Sequence, residues 1–439
     1  MVRAEPGPAR ARVLLLGATG FLGRHIAREL AAAGHAVVAG ARRPPARPLP
    51  AAVHVEVDFE QGCDPAYWLP LLDGIDAVVN AVGILKESAG ARFAVLHERA
   101  PQALFAACRQ AGVRRVVQVS ALGADAGARS AYHLSKRAAD DYLMSLGLDA
   151  VVVQPSLVYG PGGASARLFG MMASLPLVPL PRAARAPVQP IHVDDAARAI
   201  ALLADPGRRC PPKVALVGPQ PLPLRDFLSA LRTALGVPGR LRVVELPRAL
   251  TACLARLAAA LPGAAPDRET LAMLERGNTA DPAPVRELLG GPPRPPAAFV
   301  APDEAPAAAA RARLDWLLPV LRASLACLWI GTGIVSLGLY PVESSYELLR
   351  RAGTPGWLRP FALYGAAALD ILLGLLTLLP RAGRALWAGQ AALIAFYTAV
   401  ITWKLPEFWL HPYGPVLKNL PILALLLLLY QLERPWNTR

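Results

Sequence analysis

From Ala323 to Val342 the chain runs for 20 residues without a charged side chain. As a helix, such a run covers about 30 Å, the hydrocarbon thickness of a bilayer. Three comparable stretches follow. Leu358–Leu379 is interrupted only by Arg359 and Asp370, Ala385–Trp403 by nothing, and Tyr413–Leu432 only by Lys418. Trp329, Trp387, Trp403 and Trp409 include several near span ends, as an interfacial belt requires. The expectation is four transmembrane helices, at about 321–342, 358–379, 385–403 and 413–432. Pro421–Leu432, the strictly apolar part of the last, is short. The 54% hydrophobic content agrees with a chain that lies partly in lipid.

The first half is written differently. Short apolar runs, Val13–Leu16, Ala36–Ala39, Val53–Val57, Ala77–Asn80, Val116–Val119 and Val151–Val153, alternate with helical stretches that end near Gly34, Gly112 and Gly147. Near-continuous apolar strands separated by helices imply a parallel sheet covered on both faces. The predicted fold is α/β, a Rossmann-like doubly wound sheet with a smaller substrate lobe, followed by an all-α four-helix transmembrane domain. The expected boundaries are an α/β domain over 1–298 (core about 10–155, lobe about 156–298), a linker over 299–313 and a membrane domain over 314–439. The linker follows from eight prolines between Asp281 and Pro306.

The net charge of +14 comes almost wholly from arginine, and only five lysines occur. With no basic stripe carrying interleaved aromatics, nucleic acid is not an expected partner. Anionic headgroups suit the charge better. The cysteines, Cys63, Cys108, Cys210, Cys253 and Cys327, form no CxxC pair and no metal spacing, which fits free thiols in a reducing compartment. No apolar signal-peptide segment precedes the first strand, so the front of the chain is expected to stay in the cytosol.

In "RVLLLGATGFLGRHIAREL", Gly17, Gly20 and Gly23 lie between a strand and an amphipathic helix. Gly17 permits a tight turn. Gly20 lets backbone amides approach a pyrophosphate at the helix's positive end. Gly23 permits close packing. Where NAD-specific folds carry an acid after the second strand, this chain carries Arg42 and Arg43, whose planar forks match a 2′-phosphate. NADP(H) is therefore favoured over NAD(H). Asp58, ending the third strand, is placed either to bond the adenine amine or to shape a turn.

"AYHLSK" holds Tyr132 and Lys136 at i and i+4, on one helix face. A tyrosine titrates near 10, and a neighbouring ammonium favours its phenolate. With ten tyrosines and five lysines, a chance Tyr-x-x-x-Lys is expected only about 0.1 times. His192, Asp194 and Asp195 read as a helix cap rather than a metal site, and no metal is expected. His97 and Lys86 flank the fourth strand's exit, either in the cleft or on the surface. Asp370, costly at mid-bilayer, needs a partner, with Arg322, His411 and Lys418 as candidates, for a proton or quinone site or a plain interhelical contact.

"GATGFLG", "DGIDAVVNAVG", "VVQVSALGA", "YHLSK", "VVQPSLVYGPGG" and "QPIHVDDAA" together resemble an atypical or extended short-chain dehydrogenase/reductase, of the NmrA-like and complex I accessory-subunit-like kind, over about residues 10–298. "ESSYELLRRAG" and "HPYGPVLKNLP" look like a DoxX-like membrane domain. The resemblance implies that Ser120, Tyr132 and Lys136 are the catalytic set. It implies a cofactor site of Gly17, Thr19, Gly20, Phe21, Leu22, Gly23, Arg42, Arg43, Asp58, Asn80, Ala81, Gly83, Lys136, Pro155 and Ser156. His192, Asp194 and Asp195 would open a helix beside the substrate lobe.

The reading is a membrane-anchored NADP(H)-dependent oxidoreductase acting on a carbonyl, quinone or other apolar small molecule, with the bilayer and other membrane proteins as possible partners. The alternatives are a non-catalytic NAD(P)H-binding structural or sensing protein and, third, a sugar-nucleotide epimerase or dehydratase. Arg311, Arg313, Arg381, Arg384, Arg434 and Arg439 on one side, against Arg350, Arg351, Lys404 and Lys418 on the other, orient the spans only weakly. The nucleotide domain's need for cofactor places it in the cytoplasm, on a multi-pass protein of the cell's inner membrane.

Overall fold

A computed structural model describes residues 11–44, 48–50, 52–88, 90–181, 186–247, 277–380 and 382–433. Cys253, Arg381, Arg434 and Arg439, and the stretch 248–276 of the expected lobe, lie outside the described residues. The chain divides into two units, Met1–Ala312 and Arg313–Arg439.

In the first unit, β1 (Arg12–Leu16), β2 (Ala36–Ala41), β3 (Ala52–Glu56), β4 (Ala77–Asn80), β5 (Arg115–Val119) and β6 (Ala150–Pro155) coincide with the six expected strands. Short pairs follow: β7 (Val158–Tyr159) with β9 (Ile191–His192), and β8 (Val178–Pro181) with β11 (Val243–Leu246). The main sheet is wholly parallel and seven-stranded, in the order β10-β6-β5-β4-β1-β2-β3, with β10 formed by Lys213–Leu216. This extends the expected core: residues assigned to the lobe return to add the last strand beyond 155. "KVAL" is too short to show a period of its own, and it becomes a strand by pairing with the edge of β6.

Because both faces are covered, side chains of β1 alternate between two cores. Val13 and Leu15 join Ile26, Ala27 and Leu30 of α1 (Phe21–Ala32), while Leu14 and Leu16 join Trp68, Leu104, Phe105 and Leu143. Trp68 belongs to α2 (Pro65–Trp68), Leu104 and Phe105 to α3 (Ala100–Gln110), and Leu143 to α4 (Ala131–Ser145). Strand order reverses between β1 and β4, and a ligand crevice forms at the carboxyl ends of strands on either side of such a reversal.

The lobe packs Phe169 of α5 (Ala164–Ser174) and Phe227 of α7 (Leu224–Ala234) around Tyr159, with α6 (Val193–Leu203) returning to the main sheet. A short helix, α8 (Ala283–Leu289), precedes the stretch expected to be a linker. That expectation is corrected. Phe299 and Val300 are buried, Phe299 stacks on Tyr159 at 5.2 Å, and Ala309 and Ala312 of α9 (Ala305–Ile334) are buried in the same core. Proline density fits a linker only where nothing packs on the prolines, and here Pro296 itself is buried.

Among the described residues three helices are long and apolar enough to cross a membrane: Ala305–Leu339, Gly356–Thr377 and Gly383–Lys404. The first ends past Gly338, whose φ of 140° breaks the helix before Val342. A short amphipathic helix, α10 (Val342–Arg351), follows, then α11 (Arg359–Thr377) and α12 (Gly383–Lys404). The expected fourth span is shorter than 413–432: α13 is Asn419–Leu432, 14 residues, or about 21 Å of rise. Residues 413–418 are non-helical turns, with a positive φ at Gly414. Gly333 and Gly374 let α9 and α11 touch, since a Cβ at either would come within 2.7 Å of Ala367 O or 3.0 Å of Ala326 O. Trp329 donates from Nε1 to Gln390 Oε1 (2.9 Å), and Gln390 Nε2 donates to Thr377 Oγ1 (2.8 Å). Asp370 is buried and its Oδ1 has no hydrogen-bond partner. None of the three expected partners bonds it. Arg322 instead faces Leu379 O, Glu433 and the Trp387 ring.

Candidate functional site

The turn after β1 is built from backbone. Gly17 has a φ of 76°, and a Cβ there would lie 2.9 Å from Ala81 O in the loop after β4. At Gly23 a Cβ would lie 2.1 Å from Gly17 O, so Gly23 packs on the turn itself as well as permitting helix-on-strand contact. Gly20 caps α1 with no side chain over the helix end, and the first turn carries no acid. The amides of Phe21, Leu22 and Gly23 therefore lack intrahelical acceptors, leaving a free positive pole. This cradle fits a dinucleotide pyrophosphate.

A cleft of about 1550 Å³ opens over this turn. Of the expected cofactor residues, Gly17, Thr19, Gly20, Arg42, Arg43, Asp58, Ala81 and Gly83 line it. Arg42 and Arg43 are exposed, with no acid partner among the described residues. Asp58 Oδ1 caps its own turn by accepting from Glu60 N–H (3.0 Å). The others support the cleft from behind. Leu22 and Gly23 face the core. Phe21 lies under the 160–163 turn, where a Cβ on Gly163 would meet its ring at 2.8 Å. Buried Asn80 donates to Gln118 Oε1 (2.8 Å) and accepts from Val82 N–H (3.2 Å), which shapes the 80–83 loop. Pro155 ends β6, and Ser156 Oγ donates to Gln189 O (2.6 Å).

Ser130 caps α4, accepting from His133 N–H (3.2 Å), and this sets the register that places Tyr132 and Lys136 on one face. Lys136 is buried beneath the cleft floor. Its Nζ donates to Val82 O (3.1 Å) and Val119 O (3.0 Å), and a methyl on Gly83 would come within 3.1 Å of it. Ser120, just past the end of β5, donates to the buried carboxylate of Asp140. Burial lowers Lys136 from the usual ammonium range, opposed by Asp140, and raises Asp140 above the usual carboxylate range, opposed by Ser120 and Lys136. The Tyr132 phenol is pushed up to about 12, first by burial and then by the Asp140 charge. Burial thus acts on the phenol against the lowering expected from Lys136, whose ammonium spends two of its three N–H groups on carbonyls.

His97, one of the two residues flanking the fourth strand's exit, is fully buried in a π-helical turn, Ala94–Arg99. Ile84 N–H donates to its Nε2 (3.0 Å), so the ring proton sits on Nδ1 and faces Ser135 Oγ (3.0 Å). Ser135 in turn donates to Tyr132 O (2.8 Å). His97 stacks on Phe93 and meets Tyr132 edge-on at 5.6 Å. Burial, then Lys136, holds it down to about 3, so it is neutral. Lys86 does not line the cleft.

At the cleft's other end His192 caps α6, accepting from Asp194 N–H (3.3 Å). Asp194 bonds His25 (2.7 Å) and Arg294 (3.2 Å), and Asp195 holds Arg294 by Nε (3.1 Å) and backbone N–H (2.8 Å). His25 first, then His192 and Arg294, hold Asp194 down to about 2 against its burial. Sequence reasoning missed Arg294, Asp140 and the cleft-wall residues Arg24, Arg28 and Phe299. Arg24 and Arg28 carried a signal, a basic i, i+4 pair after the glycine triad. Among the described residues no three His, Cys, Asp or Glu side chains could hold a metal ion.

Residues 17–168 match the NAD(P)H-binding family model and residues 326–427 that of the DoxX-like family. A ceramide reductase of Caulobacter vibrioides is 35% identical over 191 residues, covering 43% of this chain and 59% of that protein. Subunit 9 of the NADH dehydrogenase [ubiquinone] 1 alpha subcomplex of Arabidopsis thaliana is 27% identical over 217 residues, covering 47% of this chain and 53% of that one. The chain thus spans little more than half the length of these relatives. The solved structure of gox2253 shares the fold, with a TM-score of 0.52 and 23% identity over 70% of this chain and 99% of that one. The chain thus carries an NAD(P)H-binding region on a Rossmann-like parallel sheet and a DoxX-like region among membrane-capable helices.

Proposed function

We propose that the protein is a membrane-anchored NADP(H)-dependent oxidoreductase that moves a hydride to or from a carbonyl, quinone or other apolar substrate. The observation that carries the reading is Lys136 Nζ held beneath Gly83 at the cleft floor, one helical turn after Tyr132. When bound, the nicotinamide cofactor supplies the hydride. The free amides of α1 would hold its pyrophosphate, and Arg42 and Arg43 a 2′-phosphate. Lys136 would orient the nicotinamide ribose, and Tyr132 Oη, which keeps its proton at neutral pH, would donate it to a substrate oxygen. A relative named for reducing ceramide, a membrane lipid, supports an apolar substrate, as does the apolar second unit. The cofactor's location supports a cytoplasmic first unit on an inner-membrane protein.

The test is NADPH oxidation by the protein in lipid vesicles across carbonyl and quinone panels. Turnover that Tyr132→Phe abolishes supports the reading. NADPH binding with no oxidation of any compound, and no effect of Tyr132→Phe in cells, overturns it. That outcome would favour a non-catalytic NAD(P)H-binding role, which draws on Ser120 being engaged by Asp140 and on the raised Tyr132 phenol. On that second reading Gly20→Asp harms the protein's role in cells and Tyr132→Phe does not.

A further inference from the structure

Asp140 lies at i+4 from Lys136 and has no exposed surface. One of its carboxylate oxygens, Oδ2, receives the Ser120 hydroxyl proton, and the other, Oδ1, has no hydrogen-bond partner. A buried charged oxygen without a donor costs far more than a neutral one. The site therefore suits a carboxyl that can take a proton on Oδ2, leaving Oδ1 as a neutral carbonyl oxygen. The charged and titratable groups facing it are Lys136, Asp141 and, two turns earlier, Tyr132 from its own helix, with Ser120 just after β5 and Lys213 from β10.

The protonation state of Asp140 has a direct consequence for Ser120. A hydroxyl has one proton and two lone pairs. With Asp140 ionised, the Ser120 proton is spent on Oδ2, and only lone pairs remain to receive a proton from an alcohol or phenol. With Asp140 protonated, the carboxyl donates to Ser120 Oγ, and the hydroxyl proton is free to turn to a carbonyl oxygen. We propose that Asp140 is a positioning residue that sets whether Ser120 gives or accepts a hydrogen bond, and so favours carbonyl reduction in one protonation state and alcohol oxidation in the other. This rests on the oxidoreductase reading for its consequence, but not for the hydrogen-bond reversal itself. The balance is simple: one proton enters at Asp140, one hydrogen bond reverses, and no covalent bond to carbon changes. Burial raises the Asp140 carboxyl well above the usual carboxylate range, which favours the protonated form.

The experiment uses the full chain in lipid vesicles, as wild type, Asp140→Asn and Ser120→Ala. Infrared difference spectra between about pH 6 and about pH 8 read the carboxyl directly. The expected result is a protonated-carboxyl band that disappears at the higher pH, is absent in Asp140→Asn and is displaced in Ser120→Ala. A band that survives Asp140→Asn, or is unmoved in Ser120→Ala, overturns the proposal. Kinetically, wild-type NADPH-driven reduction should fall about tenfold per pH unit above the transition, with alcohol oxidation rising, while Asp140→Asn flattens both profiles. Superimposable profiles also overturn it. Should Asp140→Asn fail to fold, Ser120→Ala, which removes a single hydroxyl, still decides between the outcomes through its band. A wild type that shows the band shift but turns nothing over refutes the oxidoreductase reading and leaves the Ser120 reversal standing.

Discussion

The Gly17–Gly23 turn and the Ser120–Lys136–Asp140 knot form two parts of one candidate site by opposite means. The turn is all backbone: its shape depends on missing Cβ atoms, and it contains no titratable group. The knot is built on three buried side chains: Ser120 bonds Asp140, and Lys136 holds two carbonyls. The turn therefore should be insensitive to pH and intolerant of added atoms. The knot should tolerate changes of volume better than changes of charge.

Gly23→Ala should break the turn most severely. Its methyl would meet Gly17 O at 2.1 Å, and both partners are backbone, so nothing can swing aside. We expect a loss of about 3 kcal/mol or more and loss of NADPH binding at every pH, read by urea denaturation and fluorescence titration. Retained binding would show that the turn can relax.

On the knot's side, Lys136→Met preserves bulk but leaves two carbonyls unpaired and Asp140 uncompensated. The expected cost is about 3 kcal/mol, and it should shrink toward acid pH, where Asp140 is protonated. A cost that does not vary with pH would mean that Lys136 acts by packing alone.

His97 sharpens the contrast because it joins the cleft loop at Ile84 to the helix of Tyr132. Its folded value, about 3, lies below the ordinary 6.5. Between these limits the unfolded chain binds more protons, so stability falls as pH drops from about 6.5 toward 3. His97→Gln should flatten that window in acid denaturation followed by circular dichroism, and an unchanged curve would place the acid sensitivity elsewhere.

Arg42→Ala with Arg43→Ala tests the turn's far edge. NADPH affinity should fall about tenfold, equivalent to about 1.4 kcal/mol, with NADH affinity nearly unchanged. Equal losses for both cofactors would remove the preference for NADP. The smallest effect belongs to Asp194. Its carboxyl titrates at about 2 when folded, below the ordinary 3.8. It contributes stability above that ordinary value that is lost as pH falls toward 2. Asp194→Asn should weaken this last acid transition only slightly, because the group is partly exposed.

Legibility followed the distance over which each signal acts. The six strands and the glycine turn were readable because alternation and turn chemistry are local, and Tyr132 with Lys136 because four residues make one helical turn. Asp140 was passed over because the bond that gives it meaning joins residues 20 apart across two elements. His97 bridges partners 13 and 38 residues away, and Arg294 reaches back 99 residues to Asp195. The strand at Lys213–Leu216 and the packed segment after Phe299 were hidden for the same reason, since each takes its place from a distant neighbour. In the second unit the span lengths were visible, but the breaks at Gly338 and Gly414 were not.

By itself the sequence determined the order of strands, turn and helices, the glycine cradle for a dinucleotide, and apolar runs suited to lipid. Those follow from short-range sterics and from the cost of exposing apolar surface to water. Only the tertiary structure decided the charge states and directions of the hydrogen bonds. Burial sets the energy of each ionised group, and burial is a property of everything packed around it. The lysine that the sequence marks beside a tyrosine is, once folded, held by two carbonyls, and Ser120 bonds an aspartate from another element.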